Sequence, residues 1–144
     1  MAGNIVNYFS MDFLSDSANE SFARQTVSNF AAQLDPQLAE LTDIRTAVSE
    51  AVTNAIIHGY RGRTGLVSLR MSYTDDRVVK IVVRDRGCGI ADIGQAMQPL
   101  YTSDPGGERG GMGFTIMKSF TDSVRVKSTP GKGTTVTMVK RLIG

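Results

Sequence analysis

The sequence predicts an α+β fold, a two-layer sandwich of a mainly antiparallel sheet and helices. Three observations predict it. The patterned segments follow one another in the order β-α-α-β-β-α-α-β-β. Residues 66–73 pair with 78–85, and 124–128 with 134–139, across short turn segments, so each pair reads as an antiparallel hairpin. The stretch from Gln37 to about His58 carries Leu41, Ile44, Val48, Ala51, Val52 and Ala55 on one face, the strongest helical pattern in the chain. Hairpin-linked strands with helices between them bury one sheet face under those helices. The 144 residues suffice for one domain spanning 1–144, and no repeat or low-complexity linker divides them.

In chain order, Asn4 to Phe13 alternates partly and reads as a strand at a sheet edge. Ser17 with Glu20 three residues on reads as a capping box that opens a helix. That helix runs to about Leu34, with Phe22, Ala23, Val27, Phe30, Ala31 and Leu34 at helical spacing. Asp35-Pro36 breaks the chain and starts the second helix, which Gly59 ends. Arg61 to Gly65 is a turn, and Asp75-Asp76 joins the first hairpin. Ala91 to Met97 is a short helix. Gln98 to Gly111, rich in Gly, Pro, Ser and Asp, reads as a mobile loop. Met112 to Phe120 is the last helix, and Pro130 to Gly133 turns the second hairpin.

Composition narrows the function classes. An apolar fraction of 41% and a charged fraction of 21% are those of a soluble globular protein. A net charge of +2 is too small to argue for nucleic acid. One cysteine, Cys88, leaves no internal disulfide and fits a reducing compartment. No apolar run approaches the roughly 18 residues of a membrane span, and no signal peptide precedes the first strand. The expectation is a cytoplasmic protein.

Four motifs carry the candidate chemistry. The apolar run 78–83 leads into Asp85-Arg86-Gly87-Cys88-Gly89. Asp85 at a strand end reads either as part of a plain turn or as a buried acceptor for an exocyclic amine such as adenine N6, with Gly87 and Gly89 letting a flat ligand approach the backbone. Glu50 and Asn54 lie four apart on the second helix. They read either as solvated polar residues or as a proton acceptor beside a neutral oxygen suited to Mg2+. Gly110-Gly111-Met112-Gly113 is either a flexible loop meeting a helix or an anion site at a helix N-terminus. Gly131-Lys132-Gly133-Thr134-Thr135 fails as a P-loop and reads as a hairpin turn from which Thr134 can reach a ligand. Arg109 is a solvated loop residue or an arginine that closes over a terminal phosphate. His58 reads as a helix-end residue and Cys88 as a small turn residue.

The order Glu-x-x-x-Asn, Asp-x-Gly-x-Gly, Gly-x-Gly, Gly-Thr-Thr resembles the GHKL ATP-binding family. Asn19 to Arg24, Ser49 to Tyr60 and Gly111 to Met117 are most similar to its branch of anti-sigma serine kinases from endospore-forming bacteria. The resemblance spans nearly the whole chain and implies the Bergerat-type ATP-binding fold. It implies Asn54 as the Mg2+ ligand and Glu50 as the catalytic base. Asp85 would bind the adenine amine, with Gly87, Gly89 and Thr134 around it, and Gly111 and Gly113 would approach the phosphates. Arg109 would touch the γ-phosphate. Arg24 would contact both a sporulation sigma factor and an anti-anti-sigma factor, whose serine would be the substrate. A homodimer would hold one sigma factor, with no direct contact to nucleic acid or membrane. The rival readings are an ATP-binding, sigma-sequestering module without kinase activity and a histidine-kinase catalytic domain cut from a longer protein.

Overall fold

The computed structural model describes residues 3–91, 93–97 and 113–143. Five strands form one sheet: β1 (Ile5–Leu14), β2 (Leu66–Thr74), β3 (Val78–Asp85), β4 (Ser123–Thr129) and β5 (Gly133–Arg141). Their order is β1-β2-β3-β5-β4, and every pairing is antiparallel. The helices are α1 (Ala18–Ala31), α2 (Leu38–Thr53), α3 (Ile93–Ala96) and α4 (Gly113–Phe120). The predicted α+β sandwich is therefore the observed one.

Strand alternation decides which sheet face is covered. Val67, Leu69, Met71 and Tyr73 of β2 are buried, as are Val79, Ile81 and Val83 of β3 and Val136 and Met138 of β5. Successive side chains point to opposite faces, so these residues share one face. Against it lie Val27 and Phe30 of α1, Ile44, Val48 and Val52 of α2, and Phe114 and Met117 of α4. Burying each such side chain contributes about 1.5–3 kcal/mol. α2 packs against α1 on one side and α4 on the other. The opposite sheet face is polar, with Arg70, Lys80, Arg84, Arg125 and Lys127 exposed.

Local details depart from the pattern reading. The Ser17–Glu20 capping box does not form, because the Ser17 side chain makes no cap hydrogen bond. Asp16 Oδ1 takes the Ala18 N–H instead, at 2.9 Å, and Glu20 turns to Arg24, 3.6 Å from its Nη1. The cap forms one helix later: the Gln37 N–H donates to Glu40 Oε1 at 3.0 Å. α1 ends at Ala31 and tightens into a 3-10 turn over Ala32–Leu34. α2 ends at Thr53, and Asn54–Gly59 continue it as a π-helical turn. There the Tyr60 N–H reaches back five residues to the Ala55 carbonyl at 3.2 Å. The wider turn carries Gly59 onto the end of β3, where the site lies.

Candidate functional site

The site is built on the C-terminal end of β3. Register places Asp85 opposite Val67 on one side and Thr134 on the other, so the carboxylate sits in the middle of the sheet. It is 5% exposed. Its Oδ1 accepts the Gly87 N–H at 2.9 Å, which closes the turn over the carboxylate. Burial pushes the Asp85 carboxyl above its ordinary value, and backbone hydrogen bonds from Gly87 and Thr134 oppose that. A carboxylate held in a dry site is a strong acceptor for an N–H donor.

Glycines press around it for want of space. A Cβ on Gly59 would lie 2.8 Å from Asp85 Cγ, and one on Gly87 only 1.9 Å from the Gly59 carbonyl oxygen. The Cys88 N–H donates to that same carbonyl at 2.8 Å, so the π turn and the glycine turn are sewn together. Gly89 has φ +75°, a conformation that L side chains rarely adopt. Cys88 Sγ points at the His58 carbonyl, 3.3 Å away, and acts as a turn residue.

The second hairpin supplies the far wall. Thr134 is 5% exposed, and its hydroxyl lies 2.8 Å from Ser128 Oγ. Ser128 Oγ also accepts the Ile90 N–H at 2.7 Å, which ties the segment after Gly89 to β4. The Gly131 N–H donates to the Cys88 carbonyl at 2.6 Å. The Pro130–Gly133 turn is thus a hairpin turn that also packs against the glycine turn after Asp85.

Glu50 and Asn54 come from α2 and its π-helical end. A Cβ on Gly113 would stand 3.5 Å from Glu50 Oε2, so Glu50 faces the first residue of α4. The free N–H groups of a helix N-terminus attract anions. The structure therefore brings Asp85, Gly87, Gly89 and Thr134 together where the π turn meets the two turns, and it sets Glu50 of α2 against Gly113 at the start of α4, with Asn54 opening the π turn. Arg24 lies apart from this group, yet it lines a separate cleft whose walls include Glu50. Arg109, Gly111 and the Gln98–Gly111 loop lie outside the described residues. Among the described residues no three His, Cys, Asp or Glu side chains gather as a metal cage.

Pattern reading missed three supporting residues. Gly59 reads as a helix stop, but its φ is not left-handed, and it is a glycine because Asp85 needs the room. Tyr60 Oη accepts the Arg86 N–H at 2.7 Å and donates to the Leu66 carbonyl at 2.5 Å, pinning the residue after Asp85. Its ring fits because Gly65 has no Cβ, which would stand 2.1 Å from Cε1. Ser128, a strand residue in sequence, bridges the pocket wall. Only the Gly59-Tyr60 pair directly after the helix carried any signal.

Residues 13–140 match the histidine kinase-like ATPase domain family. The chain is 58% identical over 137 residues to the anti-sigma F factor of Pasteuria penetrans, covering 94% of this chain and 91% of that one. It is 53% identical over 135 residues to the anti-sigma F factor of Clostridium acetobutylicum, covering 94% of each. Among solved structures, the RsbU and RsbW domains of Rv1364c from Mycobacterium tuberculosis superpose with a TM-score of 0.69 at 21% identity, over 95% of this chain and 32% of that one. The mycobacterial sensor histidine kinase MprB superposes with a TM-score of 0.57 at 18% identity, over 95% of this chain and all of that one. At those identities the two structures speak for the fold alone. Among the described residues no helix is long and apolar enough to cross a membrane.

Proposed function

The chain belongs to the histidine kinase-like ATPase domain family and, within it, to the anti-sigma F factors, and from that premise we propose an ATP-dependent anti-sigma factor that is also a protein serine kinase. In one state it sequesters a sporulation sigma factor. In the other it phosphorylates a serine of an anti-anti-sigma factor. It works in the cytoplasm, without nucleic acid or membrane. The observation that carries the reading is a buried acceptor, Asp85, closing the end of β3, with Glu50 of α2 set against the start of α4 in support.

The residues present fit the nucleotide. Asp85 would accept the adenine amine, and Gly87 and Gly89 leave the backbone bare for the ring. Thr134 closes the pocket. Gly113, with Gly111 and Arg109 from the preceding segment, would meet the phosphates. Asn54 would give Mg2+ a neutral oxygen. A magnesium ion held this way relies on phosphate and water for its other ligands, so a single protein oxygen suits it. ATP supplies the phosphoryl group: the serine oxygen forms the new P–O bond as the bond to ADP breaks. Glu50 takes the serine proton, and Arg109 neutralises charge on the transferring group.

Arg24 is the protein-facing residue of the reading. A homodimer belongs to it as well. β1 is a sheet edge, and Ile5, Val6, Tyr8 and Leu14 leave it apolar and exposed, a patch that a second copy would cover.

The test pairs two assays. Radiolabel from the γ-position of ATP should move to the anti-anti-sigma protein of the Clostridium acetobutylicum relative's source. The sigma factor should be captured with Mg-ATP present and lost without nucleotide. Capture without transfer would leave a sequestering module and remove the kinase. Failure of both would remove the whole reading.

A further inference from the structure

Glu50 faces two ways. Besides the nucleotide site it lines a cleft of about 240 Å3 together with Arg24 of α1 and Thr42, Arg45, Thr46 and Ser49 of α2. The α2 residues follow the i, i+3, i+4 rule and form one stripe along the helix. Small-molecule sites enclose about 300–1,000 Å3. This cleft is smaller, so it suits one or two side chains of a protein and not a whole free ligand.

Its charge selects the guest. Arg24 is partly engaged, with Nη1 3.6 Å from Glu20 and Nη2 donating to Ser21 Oγ at 3.4 Å. Its Nε is buried and has no hydrogen-bond acceptor among the described residues. A buried donor without an acceptor is a cost that a guest oxygen removes. Arg45 is exposed and makes no hydrogen bond or ion pair among the described residues. An exposed guanidinium, Arg45, with the buried Nε of Arg24 and the Glu50 carboxylate beyond it call for a guest with an anionic oxygen outside and a carbonyl oxygen and a proton to give inside.

We propose that this cleft admits the phosphoacceptor, a serine with a carboxylate within two residues of it, and that Arg45 determines specificity by holding that carboxylate. The inference rests on the kinase reading above. Spacing supports it. Arg45 and Glu50 are five residues apart, roughly 7.5 Å along the helix axis. An extended peptide rises about 3.3 Å per residue, so two residues span about 6.6 Å, and the reach of the two side chains makes up the difference. Arg24 Nε then meets a backbone carbonyl of the same segment while the serine hydroxyl meets Glu50.

The experiment measures steady-state phosphorylation of the same anti-anti-sigma protein by wild type and Arg45→Ala, with ATP affinity measured in parallel. KM for the protein substrate should rise about tenfold or more, as loss of a charge-assisted hydrogen bond requires. kcat at saturation and the ATP dissociation constant should hold. Replacing the carboxylate beside the target serine by lysine should raise KM for wild type and restore a low KM with Arg45→Glu. An unchanged KM in Arg45→Ala, or a loss in kcat alone, overturns the proposal. A wild-type chain that binds ATP but transfers nothing overturns the kinase reading, and this inference with it. Arg45 is exposed, so the variant's melting temperature should match wild type, and a drop would mark the KM change as structural.

Discussion

Asp85→Asn tests the adenine pocket, and the structure says more than that an acceptor is lost. Asp85 Oδ1 is already committed to the Gly87 N–H at 2.9 Å. An amide nitrogen cannot accept that bond, so the Asn oxygen must take the Oδ1 place. The NH2 then takes the place of the second oxygen, a donor where the carboxylate had an acceptor. There a donor meets the adenine amine, another donor. The site is 5% exposed at this residue, so water does not relieve the clash. Losing a charge-assisted hydrogen bond costs about 1.5–3 kcal/mol, and ATP affinity should fall roughly 10- to 150-fold. The same amide matches a carbonyl oxygen at that place on the base. GTP presents one, so the variant should lose its preference for ATP over GTP.

The unliganded protein should respond in the opposite sense. Burial raises the Asp85 pKa above 3.8 in the folded state. The sign follows from linkage: stability from this group is full below the unfolded pKa and is lost as pH rises through the folded one. Wild type should therefore lose stability relative to Asp85→Asn as pH rises from about 4 toward neutrality. Calorimetric titration with ATP and GTP, and urea unfolding between pH 3.5 and 7, read both effects. A variant that binds ATP as wild type does, or a wild type blind to the base, refutes the pocket assignment. A stability difference that does not change with pH refutes the burial argument.

Three further outcomes are expected. Glu50→Gln should lower phosphorylation by about 10²–10⁴-fold, the range of a general base, with ATP affinity little changed; transfer at the wild-type rate would remove Glu50 from that role. Gly59→Ala places a methyl 2.8 Å from Asp85 Cγ, and overpacking of this kind costs about 1–3 kcal/mol, so ATP affinity and melting temperature should both drop. Tyr60→Phe leaves the Arg86 N–H without its 2.7 Å acceptor at a cost of about 1–3 kcal/mol; an unchanged urea midpoint would show that water replaces the hydroxyl.

The fold was legible because periodicity is a surface requirement. Alternation in 66–73 and 78–85 reports one covered sheet face, and the stripe from Leu41 to Ala55 reports the helix that covers it. Ends were less legible, because they depend on competition between partners. Ser17 and Glu20 satisfy the capping-box pattern, yet Asp16 reaches the Ala18 N–H first and Arg24 draws Glu20 away. Nothing in residues 54–59 announces a π turn. That turn exists because the Gly59 carbonyl must meet the Cys88 N–H and its Cα must clear Asp85, two contacts made with a segment about thirty residues away.

The site divides along the same line. Asp85, Gly87 and Gly89 are legible because one strand and one turn place them, so local sequence is enough. Glu50 and Asn54 are legible as a pair for the same reason. What no local pattern can give is who faces the pair. Glu50 stands against Gly113 on one side and shares a cleft with Arg24 and Arg45 on the other, and both neighbours arrive by helix packing. α2 packs against both α1 and α4, and this position sets the Glu50 carboxylate against Gly113 of α4 and in one cleft with Arg24 of α1. A substitution that changes how α1 packs on α2 should therefore alter the protein substrate before it alters ATP, and one that shifts α4 should do the reverse.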